Sequence, residues 1–373
     1  MPGVRSETED RDNNPGSMRR VQRTGGSSLA VTLPKAWTDA MKVHVGTALR
    51  FNDLGEGRLE ISLVPSESRR PAGQWLLRID ATRLPPNLLS RLLVGAYVTG
   101  QDRVQLTAQA GLSMSQRQEV GRTVGRILGM SIVGESPEGV EVQNFVDPTK
   151  YHLSRIVDQV VRLLRAELQT CLQALSGNGP KGLVELPGME EEIDRLYLLM
   201  VRQLLIASDD FRVAREIGVE SHHYQMGYRV VVKMLEEIGD LLTRIGRELE
   251  GILTDLQRLP GDPIQDLCGR LQEFDGHLVA TMEAFTRLSV TRANATLNAI
   301  GEYLPNCHAL CNTLARRVRD AATAIAVQRI VSNLIQAEQM LVIVNEITIN
   351  RAVEPETVAK TGGQVSLSER QKA

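Results

Sequence analysis

Apolar positions along this chain follow three rhythms in turn. Leu29, Val31 and Leu33 alternate with Ala30 and Thr32, the period of a strand with one buried face. Pro34 ends that strand and opens a short helix reaching Met41. A turn at Val43 to Gly46 leads into a strand at Ala48 to Asn52, and the Gly55-Glu-Gly57 turn into another at Arg58 to Val64. About 45 residues of such short strands enclose too little interior for a lone chain, so the pattern predicts pairing with a second copy.

After the polar linker Pro65 to Gly73, strand and helix rhythms alternate. Strands are expected at Gln74 to Asp80, Arg103 to Ala108, around Ile132 and at Val140 to Phe145, with helices at Pro86 to Thr99 and Ser113 to Leu128. This is a small α/β sandwich over residues 74–146, a spacer or dimer module without chemistry of its own. From Asp147 to Arg351 the period is helical. Leu153, Ile156, Val157, Val160, Leu164 and Leu168 keep to one face; Ile193, Leu196, Leu199, Met200 and Leu204 form a second series; Val231 to Leu249 holds a third. Beyond the break at Leu259 to Pro263 come helical stretches near 264–290, 292–318 and 321–350. The expected fold is multidomain and mainly α: a paired unit of short hairpins over 18–66, the sandwich, then two tandem three-helix bundles over 147–258 and 263–351. Residues 1–17 read as a disordered leader and 352–373 as a flexible tail.

Charge changes the picture at one place. The chain of 373 residues has a net charge of −2, yet residues 18–50 carry six basic groups against Asp39 alone, a net of +5 that leaves −7 for the rest. A nucleic-acid surface is therefore local to the first hairpins. Aromatic residues are only 3%, too few for an aromatic-lined RNA platform. Four scattered cysteines make no disulfide framework, and the acidic start lacks the basic and apolar parts of a signal peptide. With no run of 18 apolar residues, membrane insertion is not expected and a cytoplasmic location is.

The segment Arg19-Arg-Val-Gln-Arg-Thr-Gly-Gly-Ser-Ser-Leu-Ala-Val-Thr-Leu-Pro-Lys-Ala-Trp37, closing on Val43-His-Val-Gly46 and a strand, resembles the AbrB/SpoVT-type swapped-hairpin DNA-binding domain. The resemblance implies that two chains interleave their hairpins over 18–66 into one dimeric swapped-hairpin β-barrel and lay a basic face on double-stranded DNA. Arg19, Arg20, Arg23 and Lys35 would then contact phosphates, and Thr24, Ser27 and Ser28 would offer hydroxyls. A bare dimerisation module with solvated arginines is the bland alternative.

Two carboxylate pairs stand at helical spacing, Glu190-x-x-x-Asp194 and Glu236-x-x-x-Asp240. Residues four apart share a face, and such pairs on adjacent helices can converge on a hard cation. Acidic clusters on a helix are also commonly its solvated face. The context, Glu192-Ile-Asp-Arg-Leu-Tyr197 and Met234 to Leu242, resembles the PhoU family of phosphate-uptake regulators, which implies a metal cation (Fe, Zn, Mn or Mg) on these four residues. In the second repeat Asn294/Asn298 and Ile335/Gln339 stand where such pairs would be, so at most one bundle is expected to keep a metal. Cys307-His-x-x-Cys311 lacks a fourth zinc ligand, and His222-His223 lacks di-iron spacing.

The order of parts is similar to archaeal-type regulators joining an AbrB-like front to a PhoU-like helical region. That resemblance implies a DNA-binding homodimer governing phosphate uptake and homeostasis, with a phosphate transporter's nucleotide-binding subunit and a sensor kinase as partners of its relatives. A transcription factor unrelated to phosphate, whose helices only oligomerise, is the alternative. A carboxylate-metal enzyme is disfavoured, since no acid, base or nucleophile accompanies the pairs, and no enzyme activity is expected.

Overall fold

The computed structural model describes residues 18–55, 58–63, 76–219, 221–258, 263–359 and 364. The chain is mainly helical and divides into two compact units, Met1–Ala72 and Gly73–Ala373. The expected leader, linker and inter-repeat break at 259–262 lie outside the described residues.

The first unit holds two hairpins and a short helix. β1 (Gln22–Thr24) pairs antiparallel with β2 (Ser28–Ala30), α1 (Lys35–Ala40) follows Pro34, and β3 (Leu49–Gly55) pairs antiparallel with β4 (Arg58–Leu63). Gly25, at φ +74°, makes the tight β1–β2 turn in a conformation that side chains resist. The alternating run to Leu33 is longer than the strand it predicts: β2 stops at Ala30, because one chain offers it only the three residues of β1 as partners. No described residue of this unit is buried; Leu29 is 72% exposed, Phe51 58% and Leu59 58%.

The second unit begins with a four-stranded sheet. β5 (Leu76–Asp80) and β6 (Arg103–Thr107) run parallel, joined through α2 (Leu88–Val98), while β7 (Met130–Glu135) and β8 (Gly139–Asn144) complete the order β5-β6-β8-β7. α3 (Met114–Gly125) starts on a reciprocal cap between Ser113 and Gln116. Leu89, Leu93 and Tyr97 of α2 and Val120 and Val124 of α3 bury themselves with Val104, Leu106, Val140 and Val142 of the sheet.

The helical region comprises α4 (Leu153–Gln173), α5 (Leu186–Asp209), the short α6 (Phe211–Glu216), α7 (His222–Leu256), α8 (Pro263–Arg287), α9 (Val290–Arg317), α10 (Ala321–Val353) and α11 (Pro355–Ala359). Side-chain oxygens of Ser221, Ser289 and Asp320 accept backbone N–H bonds at the starts of α7, α9 and α10. α4, α5 and α7 pack on one another, as do α8, α9 and α10, and α7 lies along α10. One hydrophobic core therefore runs through all six long helices. α11 occupies the start of the stretch expected as a tail.

Candidate functional site

The residues expected to meet DNA are spread over the first hairpin and its flanks. Across β1 and β2 Arg23 faces Leu29, while Gln22 faces Ala30 and Thr24 faces Ser28. Side chains alternate along a strand, so Arg23 lies on one face and Thr24 with Ser28 on the other. Sequence proximity had grouped what the pleat separates. Arg20, Ser27 and Lys35 are exposed, Lys35 opening α1, and Arg19 is half-buried. An added Cβ at Gly25 or Gly26 would meet nothing within 4 Å, so another molecule's backbone can approach the turn closely.

The carboxylate pairs do come together. Gly239 sits where α7 crosses α5: a Cβ there would stand 3.1 Å from Ile193 Cδ1 and 3.4 Å from Leu164 Cδ2, and its absence lets the helices close. Glu190 and Asp194 of α5 are thereby set against Glu236 and Asp240 of α7. Burial, then the charges of Asp194 and Asp240, push Glu190 up to about 7. Burial, then Asp240, raises Asp194; burial also raises Glu236, against the pull of Lys233. Each pair meets basic side chains: Lys233 Nζ lies 2.5 Å from Glu236 and 2.6 Å from Glu237, Arg244 3.1 Å from Asp240, and Arg126 4.0 Å from Asp194. Among the described residues no three His, Cys, Asp or Glu side chains are arranged to hold one metal ion as they stand.

A fifth carboxylate belongs to this cluster. Glu167 of α4 is fully buried, and burial followed by the Glu190 charge pushes it up to about 9 against the pull of Thr243. The signal was present in the sequence as an acid on the apolar stripe of α4, between Leu164 and Cys171. The second half of the helical region has its own buried acid, Glu338 of α10, whose Oε1 lies 2.7 Å from His277 Nδ1 of α8. Burial raises its pKa while His277 opposes the shift. Tyr303 stands edge-on to His277 and donates its hydroxyl to the Arg270 carbonyl at 3.0 Å.

The weaker sequence candidates are not gathered. Cys307 and Cys311 pack into the core while His308 is exposed, and burial pushes the Cys307 thiol up to about 11. Asn294, Asn298 and Gln339 are exposed, and Ile335 is half-buried.

Residues 22–71 match the family model described as Antidote-toxin recognition MazE, bacterial antitoxin. The match falls within the first compact unit and supports an AbrB-like swapped-hairpin reading of that domain. It takes in Arg23, Thr24, Ser27, Ser28 and Lys35 and begins after Arg19 and Arg20. It does not reach the helical region, for which the PhoU likeness gains no support. Comparisons with curated proteins and with solved structures give no match. No helix among the described residues is long and apolar enough to cross a membrane.

Proposed function

We propose that this protein is a DNA-binding regulator acting as a homodimer, with its swapped-hairpin unit on the duplex and its helical unit as the sensing part. The observation that carries the reading is the first unit itself. It leaves Leu29, Phe51 and Leu59 exposed and buries none of its described residues, which an interleaved second copy would correct. The same unit concentrates the chain's positive charge and carries the family match. Phosphate contacts by arginines release counterions, so affinity must fall steeply as salt rises. In the full-length protein, Arg19→Ala, Arg20→Ala and Arg23→Ala combined are expected to weaken duplex binding about tenfold or more near 0.1 M salt and to flatten the salt dependence. Unchanged affinity and slope in a filter-binding series would sink the reading.

The narrower assignment, control of phosphate uptake through a metal-bearing helical unit, draws on the converging Glu190, Asp194, Glu236 and Asp240. The clustered carboxylates, with Glu167, Glu190, Asp194 and Glu236 pushed up, suit a hard cation in charge, and Glu190, Asp194, Glu236 and Asp240 would supply its oxygen ligands. The cation would neutralise the repulsion among them. Purified protein is expected to lose its bound metal when Glu236→Ala and Asp240→Ala are combined; equal metal content by elemental analysis counts against the site. The MazE match over residues 22–71 favours a second reading, an antitoxin-type regulator, for which a co-purifying toxin partner is the discriminating observation.

A further inference from the structure

A cleft of about 520 Å³ opens between α2 and α3 of the α/β layer and α5 of the helical region, a volume suited to a metabolite-sized ligand. Three arginines line it. Arg122 lies in the last turn of α3 and Arg126, four residues on, caps its end, while Arg91 comes from α2 on the other side. Their guanidinium groups are little used among the described residues. Arg91 makes no ion pair, Arg122 reaches only the Gln118 carbonyl of its own helix at 3.3 Å, and Arg126 lies 4.0 Å from Asp194. Glu119, which also lines the cleft, is engaged in accepting the Ser90 backbone N–H at 2.8 Å. Glu191 and Asp194 form the facing wall on α5.

Three guanidinium groups around one concavity repel each other, and planar fork-shaped donors of this kind match the oxygens of a phosphoryl group. The acidic wall opposite suits hydroxyl or amino donors. We infer that this cleft binds a small phosphorylated metabolite, its phosphoryl group between Arg91, Arg122 and Arg126 and its hydroxyl- or amino-bearing part toward Glu191 and Asp194. The setting gives such a ligand leverage. α2 and α5 run side by side, pinned at their later ends where Arg202 bonds the Tyr97 carbonyl, and open at their earlier ends into the cleft. A ligand filling the mouth favours one spacing of the two helices over others, which is what an effector of a regulator must do. The inference stands apart from the DNA reading, since it uses none of the residues of the first unit.

Calorimetric titration of the full-length protein with inorganic phosphate, ribose 5-phosphate and AMP, with citrate as a carboxylate control, tests it. At least one phosphorylated organic probe is expected to bind one per chain, more tightly than phosphate or citrate. Arg122→Ala and Arg126→Ala are each expected to weaken that binding tenfold or more, and Arg122→Lys to weaken it less. The combined Arg19→Ala, Arg20→Ala and Arg23→Ala variant is expected to bind the probe as the parent does, which separates this cleft from the basic hairpin. Circular dichroism of the cleft variants confirms that they fold. No binding of any phosphorylated probe at millimolar concentration, binding indifferent to the cleft arginines, or citrate binding as tightly as the organic phosphates would each overturn the assignment.

Discussion

Arg202→Ala is expected to destabilise the second unit by about 3 kcal/mol, the lower end of the cost of breaking a buried charge pair, because the partner left behind, Asp102, keeps 21% of its side chain exposed. Arg202 projects from α5 and is 1% exposed. Its guanidinium donates to the carbonyls of Tyr97 at 2.5 Å, Gln101 at 3.2 Å and Gly100 at 3.5 Å, and to Asp102 Oδ1 at 2.5 Å. It also lies over the Tyr97 ring, 5.0 Å from the centroid. Burial lowers its pKa, with Asp102 and Tyr97 opposing. Alanine would leave a cavity and strip the end of α2 of the donor its last carbonyls share, beside a carboxylate without its counter-charge. Lysine keeps the charge but lacks the fork, so Arg202→Lys is expected to recover only part of the loss. Urea midpoints of the three proteins provide the measurement. A shift for Arg202→Ala equivalent to less than about 1 kcal/mol, the range of an ordinary surface ion pair, would show that this joint does not hold the α/β layer to the helices.

Glu167→Gln is expected to stabilise the protein above neutral pH and to remove part of its pH dependence. In the unfolded chain Glu167 has the ordinary value of 4.5, and in the folded protein burial and the Glu190 charge push it up to about 9. Between these values the folded state holds a proton that the unfolded state releases, so stability falls as pH rises through this window and levels off above about pH 9. The size is on the order of a few kcal/mol for a fully buried carboxyl. Glutamine is neutral throughout and near in shape. Parent and variant should therefore have similar stability near pH 4.5 and diverge toward pH 9, with the variant the more stable. Denaturant midpoints at pH 5, 7 and 9 decide the matter, and parallel profiles would mean that Glu167 ionises as readily in the fold as outside it.

The element pattern was legible because it is local. Ser113 with Gln116, Ser289 and Asp320 mark helix starts by side-chain bonds to residues two or three further on, and apolar spacing marks the faces, so the helices expected at Ser113 to Leu128, 292–318 and 321–350 correspond to α3, α9 and α10. The carboxylate pairs were legible for the same reason, since four-residue spacing fixes a shared face before any packing. Arg202 and Glu167 were not. Each is a charged residue inside an otherwise ordinary amphipathic run, and its meaning depends on partners far away in sequence: for Arg202 the end of α2, for Glu167 residues on α5 and α7.

By itself, then, the sequence determined which stretches form strands and which helices, which of their faces are apolar, and that positive charge collects in the first hairpins. Only the tertiary structure decided that Arg23 and the Thr24–Ser28 pair point to opposite faces, that one core joins all six long helices, and that three arginines meet across a cleft from α5. The reason is physical. Periodicity and capping are set by neighbours within a few bonds along the chain, whereas charge burial and convergence are set by which helices happen to touch, and that is fixed by the packing of the whole.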